Sequence, residues 1–188
     1  MTSVLSPTLA AVWSVLLAVG ACAAAVRGDT PSAGNVPKVG SRAPDFRLAA
    51  DDGRVYSLSG QRGRWVVLAF YPADMTPGCT LEARSLRDAM PKIKALGAVV
   101  FGISVQDTAS HKRFCAAEKL NYRLLADSSR RVSSAYGVLS EPNGVARRVT
   151  FLIDPKGIIR AVDEAVNPAT HGRDVVAKLE ELRSKGMK

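Results

Sequence analysis

The cysteine at position 79 stands where a thiol can become a reagent. It lies in the sequence YPADMTPGCT, residues 71–80, between an apolar run and an amphipathic run. Thr76 followed by Pro77 is typical of a helix start, because the hydroxyl can accept a backbone amide and proline needs no amide proton there. Cys79 then falls in the first helical turn, where unpaired amides and the helix dipole favour a thiolate over a thiol. This position predicts nucleophilic or redox chemistry at Cys79.

Two predicted elements hold this cysteine in place. The run 65–71 is continuously apolar, β-branched and aromatic, as in a strand that is buried on both faces of a sheet. The next segment, 77–96, carries apolar residues at helical spacing between charged ones, and Gly97 follows it. We therefore predict a buried strand that leads directly into an amphipathic helix.

The remaining segments alternate between strand and helix patterns. We predict a hairpin region over 46–58, strands over 98–105, 148–154 and 157–164, and helices over 108–120, 128–136 and 172–185. The last two strands meet at a hairpin turn, Asp154-Pro155-Lys156-Gly157. This order predicts an α/β protein of thioredoxin-like fold, with a central mixed β-sheet flanked by helices on both faces.

The sequence around Cys79 resembles the active-site motif of the peroxiredoxins, Pro72-x-x-x-Thr76-x-x-Cys79. Its flanking residues are similar to the bacterioferritin-comigratory-protein (PrxQ) branch, and the resemblance covers roughly residues 38–186. It includes, in order, VGSRAPDF (39–46), FGIS (101–104), LLAD (124–127), YGV (136–138) and RVTFLID (148–154). The resemblance implies a monomeric, cofactor-free, thiol-dependent peroxidase. Its substrates would be hydrogen peroxide or small organic hydroperoxides, and a thioredoxin-like reductant would recycle it.

The resemblance also implies roles for individual residues. Cys79 is the peroxidatic cysteine, Thr76 donates a hydrogen bond to the peroxide, and Arg148 supplies a cation. Four residues would contact the substrate: Pro72, Thr76, Gly78 and Arg148. The neighbouring Arg147 is an alternative to Arg148, since strand alternation turns only one of them towards the sheet. Fixed donors aimed at the leaving oxygen would stabilise the charge that develops in the transition state.

A second cysteine is needed once Cys79 has become a sulfenic acid, which otherwise risks over-oxidation. Many members of the branch carry the resolving cysteine five residues further on, where this chain has Arg84. Other members carry it in the next helix, and the resemblance then implies a redox disulfide between Cys79 and Cys115. Because the two Cα atoms must approach within about 7 Å, we expect local unwinding of both segments. The alternative is that Cys115 is a core residue and that an outside thiol resolves Cys79.

The N-terminal segment differs from the rest of the chain in composition. Residues 1–26 carry no charged side chain, and 9–26 is almost wholly apolar, so three interpretations stay open: signal peptide, lipoprotein signal with Cys22 lipidated, or membrane anchor. Each predicts an extracytoplasmic protein, periplasmic or membrane-associated, and an N-terminal membrane tether is among the expected partners. Residues 27–37 form a Pro- and Gly-rich linker, and 38–188 have the length of one domain.

The charge and the histidines suggest other classes of function. The net charge of +9 admits a basic module that binds nucleic acid or anionic lipid. However, the basic residues are scattered without interleaved aromatics, so we expect no nucleic-acid partner. His111 and His171 stand far apart near predicted helix starts, and we expect them to be solvated, with no metal site. A redox sensor or holdase with little turnover is the alternative to a peroxidase.

Overall fold

The computed structural model describes residues 1–2 and 35–186 of the chain. All but the first two residues of the predicted leader, 1–26, and most of the predicted linker, 27–37, lie outside the described residues. The assignment of these two segments stays a prediction from the sequence.

Within residues 35–186, a seven-stranded mixed sheet forms the centre of the domain. Its strands are β1 Arg47–Ala50, β2 Val55–Ser57, β3 Trp65–Phe70, β4 Ala98–Ser104, β5 Arg123–Ala126, β6 Val149–Ile153 and β7 Ile159–Asp163. The spatial order is β2-β1-β5-β4-β3-β6-β7, in which β3, β4 and β5 run parallel and the other neighbours pair antiparallel. All six residues of β3 are buried, because the strand lies between β4 and β6 and both of its faces are covered.

Helices cover both faces of this sheet. They are α1 Pro77–Ala95, α2 Thr108–Glu118, α3 Arg131–Ala135 and α4 His171–Ser184, with a short 3-10 helix at Ser59–Gln61. Alternate residues of β3 enter opposite cores: Leu68 packs with Tyr136 beside α3, whereas Val67 packs with residues of α1, α2 and α4. Each large apolar side chain buried in this way stabilises the fold by roughly 1.5–3 kcal/mol. The predicted mixed sheet with helices on both faces is confirmed.

The sequence analysis missed β5 and misplaced the ends of the two helices beside it. β5 has only four residues, and it is defined by pairing with β4 and β1, which are distant in sequence. α2 ends at Glu118, before the predicted boundary, because Lys119 takes a left-handed conformation with φ +52°. α3 begins after Arg130, also left-handed, and the Asp127 carboxylate accepts its first free amides. Side-chain caps and long-range pairing therefore set these boundaries.

Candidate active site

Cys79 is the third residue of α1, and only 2% of it is exposed. β3 ends at Phe70, a loop follows, and α1 begins at Pro77, whose missing amide proton costs nothing at this position. The Thr80 amide donates to the Thr76 carbonyl at 2.8 Å and closes the first helical turn. The thiol therefore lies at the positive end of the α1 dipole.

Arg148 brings a cation to this thiol. It directly precedes β6, and β6 pairs antiparallel with β3, so Arg148 emerges at the sheet edge from which the chain leaves towards Cys79. Its Nη2 lies 3.4 Å from the Cys79 Sγ, whereas Arg147 bonds to a backbone carbonyl and an exposed carboxylate. A Cβ added to Gly78 would lie 3.4 Å from the same Nη2, so the loop backbone runs close to the guanidinium. The guanidinium thus places a fixed positive charge beside the thiol sulfur.

A buried polar network holds the guanidinium from the other side. Glu82 is 3% exposed and pairs with Nη1 of Arg148. The His171 Nδ1 lies 3.0 Å from Oε1 of Glu82, without hydrogen-bond geometry, and its Nε2 lies 2.9 Å from Oγ1 of Thr150. Burial lowers the pKa of His171 to about 4, so the imidazole is neutral near pH 7. The prediction that His171 is solvated is wrong, because α4 packs this residue onto α1.

Glu82 was not among the predicted site residues, because it is one of several charged residues of the helix. A signal was present, because Glu82 follows Cys79 by three positions and precedes Leu86 by four, so it shares their face. That face is buried against the sheet. A carboxylate on a buried helix face requires a partner, and Arg148 is that partner.

Thr76 lies at the start of α1, but its predicted side-chain cap is wrong. The Thr76 hydroxyl donates to the Ala73 carbonyl at 3.1 Å and accepts no helix amide. Met75, with φ +58°, closes a turn that brings this carbonyl within reach. Thr76 is exposed, and Pro72 at the start of the same loop is partly buried. The loop thus leads from the surface to the buried thiol.

A second buried network ties the same loop to α2. The His111 Nδ1 lies 2.9 Å from Oδ2 of Asp74, and the Tyr71 hydroxyl donates to Oδ1 at 2.6 Å. Burial alone would raise the pKa of Asp74, but hydrogen bonds from His111, Ser110 and Tyr71 outweigh it and lower this pKa. His111 is fully buried, so the prediction that it is solvated is also wrong. The carboxylate of Asp74, a loop residue, is the polar partner of the buried imidazole.

Cys115 lies on α2 in surroundings that suppress its reactivity. It is half-buried and packs against the apolar cluster that contains Cys79, and neither cysteine is in a disulfide. Burial, with a further contribution from the Asp51 carboxylate, raises the pKa of Cys115 to about 12. Cys115 is therefore a protonated thiol in this arrangement, and a protonated thiol is a poor nucleophile.

A small cavity separates parts of α1 and α2. Cys79 lines it together with apolar and aromatic side chains that include Phe114 and Tyr122. A Cβ at Gly102, which also lines it, would lie 2.5 Å from the Leu124 side chain, so glycine lets Leu124 pack directly against the β4 backbone. The cavity leaves a small gap in the packing beside Cys79.

A model of the AhpC/TSA family matches residues 39–162 of the chain. The chain belongs to the AhpC/TSA family. It is 42% identical over 151 residues to the chloroplastic peroxiredoxin Q of Oryza sativa subsp. japonica, which covers 79% of this chain and 69% of the rice protein. It is 39% identical over 148 residues to a protein of Coxiella burnetii named peroxiredoxin bcp, covering 76% of this chain and 98% of that one.

Solved structures agree with this relationship. Peroxiredoxin Q of Xanthomonas campestris superposes with a TM-score of 0.69 at 31% identity, covering 72% of this chain and 90% of that chain. The predicted resemblance to the peroxiredoxins and their PrxQ branch is confirmed, as is the thioredoxin-like fold. The chain is an oxidoreductase of the thiol-dependent peroxidase class, whose substrates are peroxides and whose reductant is of the thioredoxin type.

The predicted extracytoplasmic location is wrong. The rice relative is named a chloroplastic protein, and neither it nor the Coxiella burnetii relative is named as a periplasmic or membrane protein. In the part of the chain that the structure describes, no helix is both long enough and apolar enough to cross a bilayer. That prediction rested on the sequence of residues 1–26, nearly all of which lie outside the described residues.

Proposed function

We propose that Cys79 is the peroxidatic cysteine of this enzyme. The approach of the Arg148 Nη2 to within 3.4 Å of the Cys79 Sγ, at the start of α1, carries the proposal. The thiolate attacks one peroxide oxygen, an S–O bond forms, and the O–O bond breaks. The departing oxygen leaves as hydroxide or alkoxide and takes up a proton. The guanidinium stabilises the charge both on the attacking sulfur and on the departing oxygen.

Thr76, Pro72 and Gly78 complete the proposed peroxide site. The Thr76 hydroxyl rotates from the Ala73 carbonyl to the peroxide, and this exchange replaces one hydrogen bond with another. Pro72 offers no amide proton and limits access of water to the thiol. Gly78 leaves room beside Arg148 for a small substrate. The site is therefore suited to hydrogen peroxide and small organic hydroperoxides.

We assign the resolving role to Cys115. Its thiolate attacks the sulfenic sulfur of Cys79, an S–S bond forms, and the S–O bond breaks. The oxygen leaves as hydroxide and takes up a proton to give water. Two Xanthomonas campestris structures are of cysteine-to-serine variants, and their replaced cysteines are separated by as many positions as Cys79 and Cys115. Because the pKa of Cys115 is raised to about 12 in its folded surroundings, Cys115 must leave them before it can react.

A monomeric peroxidase turning over with a thioredoxin-type reductant is then the expected enzyme. Steady-state consumption of hydrogen peroxide, coupled to thioredoxin and its reductase, tests this directly. The unsubstituted protein should turn over, and Cys79→Ser should be inactive. Peroxidase activity in Cys79→Ser would contradict the role of Cys79, and size-exclusion chromatography should give the mass of one chain.

The redox sensor or holdase is the second candidate, favoured only by the strong burial of Cys79. It predicts that peroxide oxidises Cys79 once, with little turnover under any reductant. The coupled assay separates the two candidates, since many equivalents of peroxide are consumed only by a peroxidase. A holdase would in addition suppress aggregation of a client protein after oxidation.

A further inference from the structure

Arg84 occupies the position at which many members of the branch carry a resolving cysteine. It lies on the exposed side of α1 and forms a two-pronged ion pair with Glu118, the last residue of α2. The Arg84 Nε lies 2.5 Å from Oε2 of Glu118, and its Nη2 lies 3.2 Å from Oε1. Glu118 follows Cys115 by three residues, so the contact holds the turn of α2 that carries Cys115.

A second set of bonds strengthens this junction. The Arg87 Nη1 donates to the Glu118 backbone carbonyl at 2.8 Å. Pro91 lies inside α1 and has no amide proton, so the Arg87 carbonyl lacks its helical partner. The Asn121 Nδ2 donates to that carbonyl at 3.0 Å instead. Arg84, Arg87, Glu118 and Asn121 together form what we call the α1–α2 strap.

The two ends of α2 are held by different kinds of contact. At its first turn, His111 is fully buried against Asp74. At its last turn, the ion pair of the strap lies nearer the surface: the Arg84 side chain is 53% exposed and the Glu118 side chain is 14% exposed. An exposed ion pair contributes little and is screened by salt, whereas a buried pair is costly to break. Of the two ion pairs that hold α2, the one at the end that carries Cys115 is therefore the easier to break.

We propose that Arg84 is a positioning residue for the resolving step: through Glu118 it keeps Cys115 in its folded place and so limits how fast Cys115 reaches Cys79. The inference rests on the proposed role of Cys115. Where other members have the resolving thiol itself, this chain has the residue that restrains it. Arg84 does not touch Cys79, so it leaves the reaction with peroxide unaffected.

Single-turnover kinetics test this inference. Reduced protein is mixed with one equivalent of hydrogen peroxide, quenched in acid with an alkylating reagent, and its disulfide is followed by intact mass. Arg84→Met should form the Cys79–Cys115 disulfide about threefold faster, within the modest range expected of an exposed pair. Formation of the sulfenic acid should keep its rate. Arg84→Lys keeps the charge but not the two-pronged contact, so its rate of disulfide formation should lie between those of the unsubstituted protein and Arg84→Met.

Salt dependence and a control variant distinguish an effect of the strap on the rate of disulfide formation from a general loss of stability. Raising potassium chloride from about 0.1 M to about 1 M shortens the screening length from about 10 Å to about 3 Å and should accelerate resolution in the unsubstituted protein but not in Arg84→Met. Glu181→Gln removes two exposed ion pairs, with Lys178 and Lys185, and should change nothing. Glu118→Gln should reproduce Arg84→Met.

Two results would overturn the inference. A normal disulfide that forms at the same rate in Arg84→Met as in the unsubstituted protein would refute the strap and leave the role of Cys115 intact. Equal acceleration by Glu181→Gln would also refute it. An unsubstituted protein that forms no internal disulfide would overturn both the strap and the proposed resolving role, so the two failures are distinguishable.

Discussion

Cys79 and Cys115 touch the same apolar cluster, yet the charges beside them have opposite signs: Arg148 lies beside Cys79 and Asp51 beside Cys115. Cys79 is the more deeply buried, but it lies at a helix start beside Arg148. Cys115 lies in the second half of α2, where the dipole disfavours a thiolate, and burial, with the Asp51 carboxylate, raises its pKa to about 12. We therefore expect the sign of the neighbouring charge, and not burial alone, to decide which thiol reacts.

Removing the cation of Arg148 should make the surroundings of Cys79 resemble those of Cys115. We expect Arg148→Met to slow sulfenic acid formation about 10²–10³-fold, the usual cost of a donor aimed at developing charge. Rapid mixing with hydrogen peroxide measures this rate. Arg147→Met, the exposed neighbour, is the matched control and should react normally. A loss of less than about threefold would contradict the role of Arg148, given that the usual cost is about 10²–10³-fold.

Arg148→Met alone leaves the Glu82 carboxylate buried without its Arg148 partner and so lowers the stability of the fold. The double variant Arg148→Met, Glu82→Gln removes that unpaired carboxylate. It should therefore be more stable than Arg148→Met and equally slow. Recovery of the rate in the double variant would mean that the loss came from a distorted fold.

His171 should make the region behind Cys79 sensitive to acid. Its pKa is about 4 when folded, below its ordinary value of 6.5, so between these values the unfolded chain binds a proton that the folded protein does not. Stability is therefore lost as the pH falls through this window, by up to about 3 kcal/mol. Urea unfolding at several pH values should show this slope, and His171→Asn should lack it. Equal slopes would contradict a neutral, buried His171.

The Thr76 hydroxyl should matter to Cys79 and not to Cys115. Because a hydrogen bond to a charged group contributes about 1.5–3 kcal/mol, Thr76→Val should slow the reaction with peroxide about tenfold to a hundredfold. Thr76→Ser keeps the hydroxyl and should retain most of the rate. If valine and serine variants react equally fast, Thr76 acts only through its backbone.

Asp51→Asn should have the smallest effect, and it should appear at Cys115. Loss of the negative charge lowers the pKa of Cys115 only partway, because burial is the larger cause. Alkylation of the reduced protein at Cys115 should become about threefold faster while Cys79 is unaffected. Asp52→Asn alters the adjacent carboxylate and is the control. Unchanged alkylation would show that burial alone sets this pKa.

The features that could be predicted from the sequence are those that depend only on residues close together in the chain. The buried run of β3, the proline at the start of α1 and the order of strands and helices are local patterns, and the structure has them. β5 was missed because its four residues become a strand only by pairing with distant β1 and β4. The boundary of α2 depends on the left-handed backbone at Lys119.

The candidate site, too, could be predicted only in part from the sequence. Cys79 was evident from its place at a helix start, but the partners that hold Arg148 come from α1 and α4, which meet only in the folded chain. Both histidines were misread as solvated, because nothing near them in sequence indicates the carboxylate that each meets. The strap at Arg84 likewise depends on packing between α1 and α2.

Intact-mass analysis with peptide mapping after one equivalent of hydrogen peroxide tests the contrast between the two cysteines most directly. The account predicts that the unsubstituted protein loses two hydrogens and carries a disulfide between Cys79 and Cys115, whereas Cys115→Ser gains one oxygen on Cys79 alone. Oxygen added first at Cys115, or a Cys79 sulfenic acid that persists in the unsubstituted protein while Cys115 stays a free thiol, would contradict it.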